Sequence, residues 1–176
     1  MTRKKRLLTF LVFLGIFTAL YSIGAEMPVN DEDAMEFLKE FQLAIEGIDA
    51  VSIFIHNASI ALPMFIPGFG MAWGGFAGWS TGFAFSALVT TTPALSQIPP
   101  LALLYGSPFG LMELIAYSIG MSRSFILILS IIKKKSIKLE LTPTVIEVGI
   151  VVALLLVGGF IEFAMIQEFG DVSLPE

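Results

Sequence analysis

The sequence predicts an all-α fold, a polytopic membrane helical bundle of about five transmembrane helices. A broken or re-entrant segment is expected before the fourth, and an amphipathic helix outside the bundle. Three observations predict this. Of 176 residues, 56% are hydrophobic and only 14% charged, against roughly a quarter charged in ordinary soluble domains. The mean hydropathy is +0.86, and the charges gather in short blocks separated by apolar runs long enough to cross hydrocarbon. Finally, the chain has no Cys and a single His, which excludes disulfides, thiol nucleophiles, iron–sulfur clusters and any Cys- or multi-His metal site within one chain. No metal and no cofactor are expected.

Residues 7–24 carry no charge, and eighteen helical residues span about 27 Å at 1.5 Å each. The block Arg3, Lys4, Lys5, Arg6 ahead of this run holds the N-terminus in the cytoplasm. Ile23 and Ala25 make a poor small-x-small cleavage site, so residues 1–25 read as a retained signal-anchor span. Residues 26–49 then reverse the composition, with eight acids against the lone base Lys39. Asn30 is a good N-cap, followed by Asp31, Glu32 and Asp33 where the helix dipole favours negative charge. Leu38, Phe41, Ile45 and Ile48 recur at helical spacing, which predicts an acidic amphipathic helix on the outer surface. It serves either as a solvated connector or as a docking element.

The membrane core is expected over residues 50–170. Residues 50–66 form a second span, Pro67-Gly68 a turn, and Gly70 to about Thr90 a third span antiparallel to it. Residues 90–100 hold three prolines and no charge and read as an external loop. Residues 101–132 are too long for one straight span and are interrupted at Gly106, Pro108 and Gly110. They predict a short re-entrant or interfacial piece and then a fourth span. Lys133, Lys134, Lys135 and Lys138 follow, and a fifth span is expected from about Thr144 to Ile166, with Thr142-Pro143 at its start. This threading puts eight of the ten Lys and Arg on the cytoplasmic side. The acidic connector and the tail with Glu168, Asp171 and Glu176 fall outside.

Within the third span Gly70, Gly74, Gly78, Gly82, Ser86 and Thr90 recur every four residues, a stripe of small side chains at which two backbones can approach closely. Its partner is a helix of the same chain or of another protein. Gly78-Trp79-Ser80-Thr81-Gly82 matches the G-x-S-x-G pattern, but no strand is available to build the elbow that makes such a serine nucleophilic. An intramembrane serine hydrolase pairing Ser80 with His56 is therefore the least favoured reading. The polar residues inside predicted spans are His56, Asn57, Glu113 and Arg123, and each must face the interior or find a partner. Asn57 and His56 suit interhelical hydrogen bonding, His56 also a proton relay. Glu113 and Arg123 lie about 15 Å apart along one helix and cannot pair with each other. Arg123 is expected to snorkel toward the lysine loop, and Glu147 and Glu162 to reach the two interfaces. Glu113 is the strongest site candidate.

Two stretches carry a family resemblance: IHNASIALPMFIPGFGMAWGGFAGWSTGFAFSAL and, beyond the proline-rich loop, SPFGLMELIAYSIG. Together they resemble the stage II sporulation protein M family of multi-span membrane proteins. The shared features are Asn57 early in a span, the glycine-rich turn and span reaching Thr81-Gly82, and Pro108-Phe109-Gly110-Leu111-Met112-Glu113-Leu114. In that last segment Phe109 stands where the family has His. The resemblance covers roughly residues 50–166 and is nearer an archaeal-type branch. It implies a non-catalytic membrane component that assembles with other integral membrane proteins, its core shaped by Asn57, Gly82, Gly110 and Glu113.

The expected role is accordingly a non-enzymatic scaffold or accessory subunit in the cell membrane, with the N-terminus cytoplasmic and the C-terminus extracytoplasmic. Its partners are the lipid bilayer and other integral membrane proteins, in a hetero-complex or a homo-oligomer, and not nucleic acid. The rival reading is a small transporter or channel using Glu113 at the broken helix.

Overall fold

In the computed structural model, which describes residues 2–170, the chain folds into seven α-helices and two short 3-10 turns. Asp171 and Glu176 of the acidic tail lie outside the described residues. The helices are α1 (Arg3–Ala25), α2 (Asp31–Ile45), α3 (Ala50–Ala61), α4 (Phe69–Thr91), α5 (Pro100–Gly106), α6 (Pro108–Ile132) and α7 (Lys138–Gly170). Among the described residues there is no strand. The all-α expectation holds, but only α1, α6 and α7 are both long and apolar enough to cross a membrane. Three such helices fit a membrane protein.

The two remaining expected spans differ for separate reasons. Residues 50–66 do not form one helix: α3 stops at Ala61 and tightens into a 3-10 turn, Leu62–Phe65, with Pro63 in its first turn. At α4 the length suffices, with 23 residues, but Gly, Ser and Thr dilute its apolar character. The first helix starts earlier than the apolar run because Thr2 caps it, its hydroxyl accepting from the Lys5 N–H. Likewise α7 begins at Lys138 rather than Thr144, and Pro143 sits inside the helix, not at its start. The loop at 90–100 contains a 3-10 turn, Pro93–Gln97. The expected break is real: α5 ends at Gly106, Ser107 is extended at ψ 137°, and α6 starts on Pro108.

Helix α2 forms as expected, with Asn30 accepting from the Asp33 N–H at 2.8 Å. It packs on α4. Its inward stripe is Ala34, Phe37 and Leu38, while Phe41 is largely exposed; the side chain of Ile45 lies outside the described residues.

Residue contacts fix the direction of every long helix. Gly78 faces Phe17, Gly82 faces Tyr21, and Ser86 donates to the Met27 carbonyl, so α1 and α4 run parallel. Phe13 meets Phe125 and Phe17 meets Tyr117 with tilted rings, so α6 opposes α1. Arg123 meets Glu147 while Met112 lies beside Gly158, so α7 opposes α6. Asn57 meets Glu113 and Ile66 meets Ser124, so α3 runs with α6. Helices α1, α4 and α7 thus point one way and α3 and α6 the other, and the N-terminus shares an end with the lysine loop. The core gathers around α6, of whose most apolar window 61% is buried against 22% in α1 and in α7.

The glycine stripe is used within the chain. A Cβ at Gly70 would collide with the Met64 backbone, at Gly74 with the Met121 side chain and at Gly82 with the Tyr21 carbonyl. The α1–α4 contact is reciprocal, because a Cβ at Gly24 would strike the Trp79 carbonyl. Without a hydrophobic drive in lipid, such close backbone approach is what holds two helices together. On the outer side of α4, Phe69, Trp73, Phe76, Trp79 and Phe83 form a ladder with ring centroids 5.5–6.0 Å apart.

Candidate functional site

The site at Glu113 is built from the α5–α6 break. The Ser107 hydroxyl donates to the Leu103 carbonyl at 2.7 Å and accepts from the Gly110 N–H at 3.0 Å, which closes both helix ends around one residue. Gly110 has to be small here, since a Cβ would meet the Leu103 and Leu104 carbonyls. Glu113 follows one turn later. From α3 the buried Asn57 donates its Nδ2–H to Glu113 Oε1. From α7 Glu162 comes close enough to interact electrostatically with Glu113, and Tyr117, one turn along α6, lies within electrostatic reach of both carboxyls. Glu162 Oε2 is buried without a hydrogen-bond partner among the described residues. No Lys, Arg or His among those residues pairs with either carboxyl. Three helices thus bring an amide into contact with one carboxyl and place a second carboxyl and a phenol within electrostatic reach of it.

A second polar cluster lies toward the opposite end of the bundle. Arg123 is 3% exposed and does not snorkel to the lysine loop. Its Nε and Nη2 donate to the two oxygens of Glu147 at 2.7 and 2.6 Å, and Nη1 donates to Glu140 at 2.9 Å. Arg6 adds a bond to Glu147 at 2.7 Å and one to the Ser122 hydroxyl at 2.8 Å. Glu147 therefore does not reach an interface alone; it is clamped between two guanidiniums, the planar fork geometry that suits Arg. Both partnerships of α7 escaped the sequence reading. The signal was present for one of them: Arg123 and Glu147 lie symmetrically about Lys135, so a helical hairpin brings them level.

His56, expected to face the interior, is exposed on α3 and contributes nothing to the Asn57–Glu113 pair. Ser80 lies mid-helix in α4, and no hydrogen bond joins it to His56 among the described residues. The structure does not assemble the hydrolase pair. Gly82 and Gly110 both sit at close backbone approaches, and Asn57 and Glu113, 56 residues apart in sequence, are hydrogen-bonded to one another. No group of three or more His, Cys, Asp or Glu that could hold a metal ion occurs among the described residues.

No family model, curated protein or solved structure matches this chain. What the site can do follows from its chemistry alone. The carboxyl cluster can share a proton or receive a small cation, and the paired Arg–Glu cluster can only lock helices together.

Proposed function

We propose that the chain is a five-crossing integral protein of the cell membrane, acting as a non-catalytic scaffold or accessory subunit of a larger membrane complex. Its N-terminus would be cytoplasmic and its C-terminus extracytoplasmic. The alternation of helix directions supports five crossings: α3 with its 3-10 extension and the glycine-rich α4 continue the alternation set by α1, α6 and α7. Each buries one face against its neighbours and leaves apolar side chains such as Val51, Ile55, Phe69 and Phe76 exposed on the other. Reporter fusions at the N-terminus and in the lysine loop should report the same side.

The observation that carries the subunit reading is the open flank of α7. This helix packs on α6 and α3, while Ile146, Ile150, Val157 and Phe160 remain exposed along its length. The glycine stripe, by contrast, is already filled. The similarity to the stage II sporulation protein M family points the same way, and its Asn57 and Glu113 act as a structural clasp in this reading. Purification in mild detergent followed by mass spectrometry should recover a stoichiometric partner, reduced in Val157→Ala/Phe160→Ala. A clean, stable monomer in place of a complex overturns the reading.

A second reading, a small transporter or channel, is favoured by one observation: Glu162 Oε2 is buried and unpartnered beside Glu113. Intramembrane carboxyls without a counter-cation mark proton or cation pathways in many bundles. Proteoliposome flux abolished by Glu113→Gln would establish it, and absence of flux with intact protein would remove it.

A further inference from the structure

We infer that the cavity between α1, α6 and α7, at the end of the bundle that carries the lysine loop, binds the phosphate headgroup of an anionic membrane lipid. The cavity has a volume of about 720 Å³, and its lining combines charged and apolar side chains. Arg3, Arg6, Arg123 and Lys135 line it together with the two carboxylates Glu140 and Glu147. Arg6 and Arg123 are occupied by those carboxylates. Arg3 and Lys135, both exposed, have no ion-pair partner among the described residues. They are the charges left to meet an anion, and the occupied guanidiniums keep the surrounding potential from turning negative.

The rest of the lining is largely apolar, through Leu7 and Phe10 on α1 and Leu139, Pro143 and Ile150 on α7. From Arg3 to Phe10 the wall descends about 10 Å along the helix, the step from a headgroup to the start of acyl chains. Leu139 is 77% exposed beside these cations, where an acyl chain would cover it. These exposed apolar side chains beside the free cations are what select a lipid over free phosphate. A second cavity, of about 580 Å³, opens on the other side of α1, shares Lys135 and Glu140 with the first, and adds Lys5 and Lys133. The cationic mouth therefore wraps the start of α1. Basic pockets between membrane helices at the cytoplasmic face have the chemistry to hold anionic headgroups. This inference holds whether or not the chain is a subunit; it depends on the membrane reading, which resistance to carbonate extraction tests separately.

The full chain, purified in an uncharged detergent, is titrated with phosphatidylglycerol, phosphatidylcholine and inorganic phosphate, and bound species are counted by native mass spectrometry. Saturable retention of phosphatidylglycerol over phosphatidylcholine is expected, weakened at least about tenfold in Arg3→Gln/Lys135→Gln and unchanged in Lys39→Gln on the opposite side. Both substituted side chains lie outside the Arg123 cluster, so helix content by circular dichroism should persist. If it does not, Lys135→Gln alone supplies the comparison. Equal retention of the two lipids overturns the proposal, as does full binding by the charge-neutral variant. Displacement of the lipid by an equal concentration of inorganic phosphate would show a free-anion site instead and equally overturn it.

Discussion

The two polar clusters face the same problem, ionisable groups buried between apolar helices, and answer it in opposite ways. Near the lysine loop, Arg123 and Arg6 neutralise Glu147 and Glu140 through forked bonds of 2.6–2.9 Å. Toward the other end, Glu113 has an amide and a second carboxyl for company and no cation among the described residues. A closed ion-pair network has no spare valence, so its chemistry ends with holding α1, α6 and α7 together. A carboxyl cluster completed by a neutral amide retains an unfilled acceptor in Glu162 Oε2. The first cluster is a closed lock, and the second a clasp of amide and carboxyl that leaves one carboxyl oxygen unpartnered among the described residues.

The largest effect should come from opening the closed network. Arg123→Leu leaves Glu147 and Glu140 facing each other with only Arg6 nearby, and losing one partner of a buried pair costs about 3–5 kcal/mol. Thermal unfolding in detergent should show that loss, and Arg123→Leu/Glu147→Leu should recover much of it, because no uncompensated charge then remains. A loss below about 1 kcal/mol in the single variant would place the network among weakly contributing surface pairs and erase the contrast.

How much of this was legible in the sequence depends on how far each feature reaches along the chain. Local signals served well: the Asn30 cap, the Pro67-Gly68 turn, with Gly68 at φ 79°, and the break at Pro108 all depend on a few neighbouring residues. The stripe at Gly70, Gly74, Gly78 and Gly82 was legible as a stripe, but it divides its contacts among the 3-10 turn, α6 and α1, which no spacing encodes. Asn57 and Glu113 were each recognised as polar residues needing a partner. That they satisfy each other depends on α3 running alongside α6, a property of the whole topology. Arg123 was misjudged because snorkelling considers one helix at a time, whereas a neighbouring helix at the same depth offers a carboxylate more cheaply than the water interface does. Glu162 was assigned to an interface, yet its Oε2 is buried near Glu113 without a hydrogen-bond partner among the described residues, a placement that spacing along one helix does not reveal.

The open cluster should respond more weakly. Asn57→Leu removes the amide that donates to Glu113 and leaves that carboxyl short of a partner, at a cost of about 1–3 kcal/mol; unfolding in detergent measures it. Glu113→Gln keeps the shape and a hydrogen bond to Asn57 while removing one of two facing acids, so stability should change by less than about 1 kcal/mol. A large loss in Glu113→Gln would mean that the carboxylate is structural, and the distinction between the clusters would collapse. Together the pair separates a residue that holds the site from one that gives it chemistry.

The smallest effect belongs to a charge that stays in water. Asp49 caps α3, its carboxylate accepting the Ser52 N–H at 2.7 Å. That backbone bond, with a further one from the Ser52 side chain, holds its pKa below the ordinary 3.8. A lowered value means that the folded chain binds the proton less readily than the unfolded one. The cap is therefore fully effective above about pH 4 and weakens only as pH falls through the folded value. The Ser52 amide resonance should titrate with a midpoint below 3.8, lose that titration in Asp49→Asn while keeping the capped position, and move to an uncapped position at every pH in Asp49→Ala. A midpoint at or above 3.8 for the Ser52 amide would mean that the cap is not formed. Because the carboxylate is fully exposed, solvent screens its interactions and the global stability of the bundle should hardly register the change. The clusters buried between the helices lack that protection, which is why the same kind of group matters far more there.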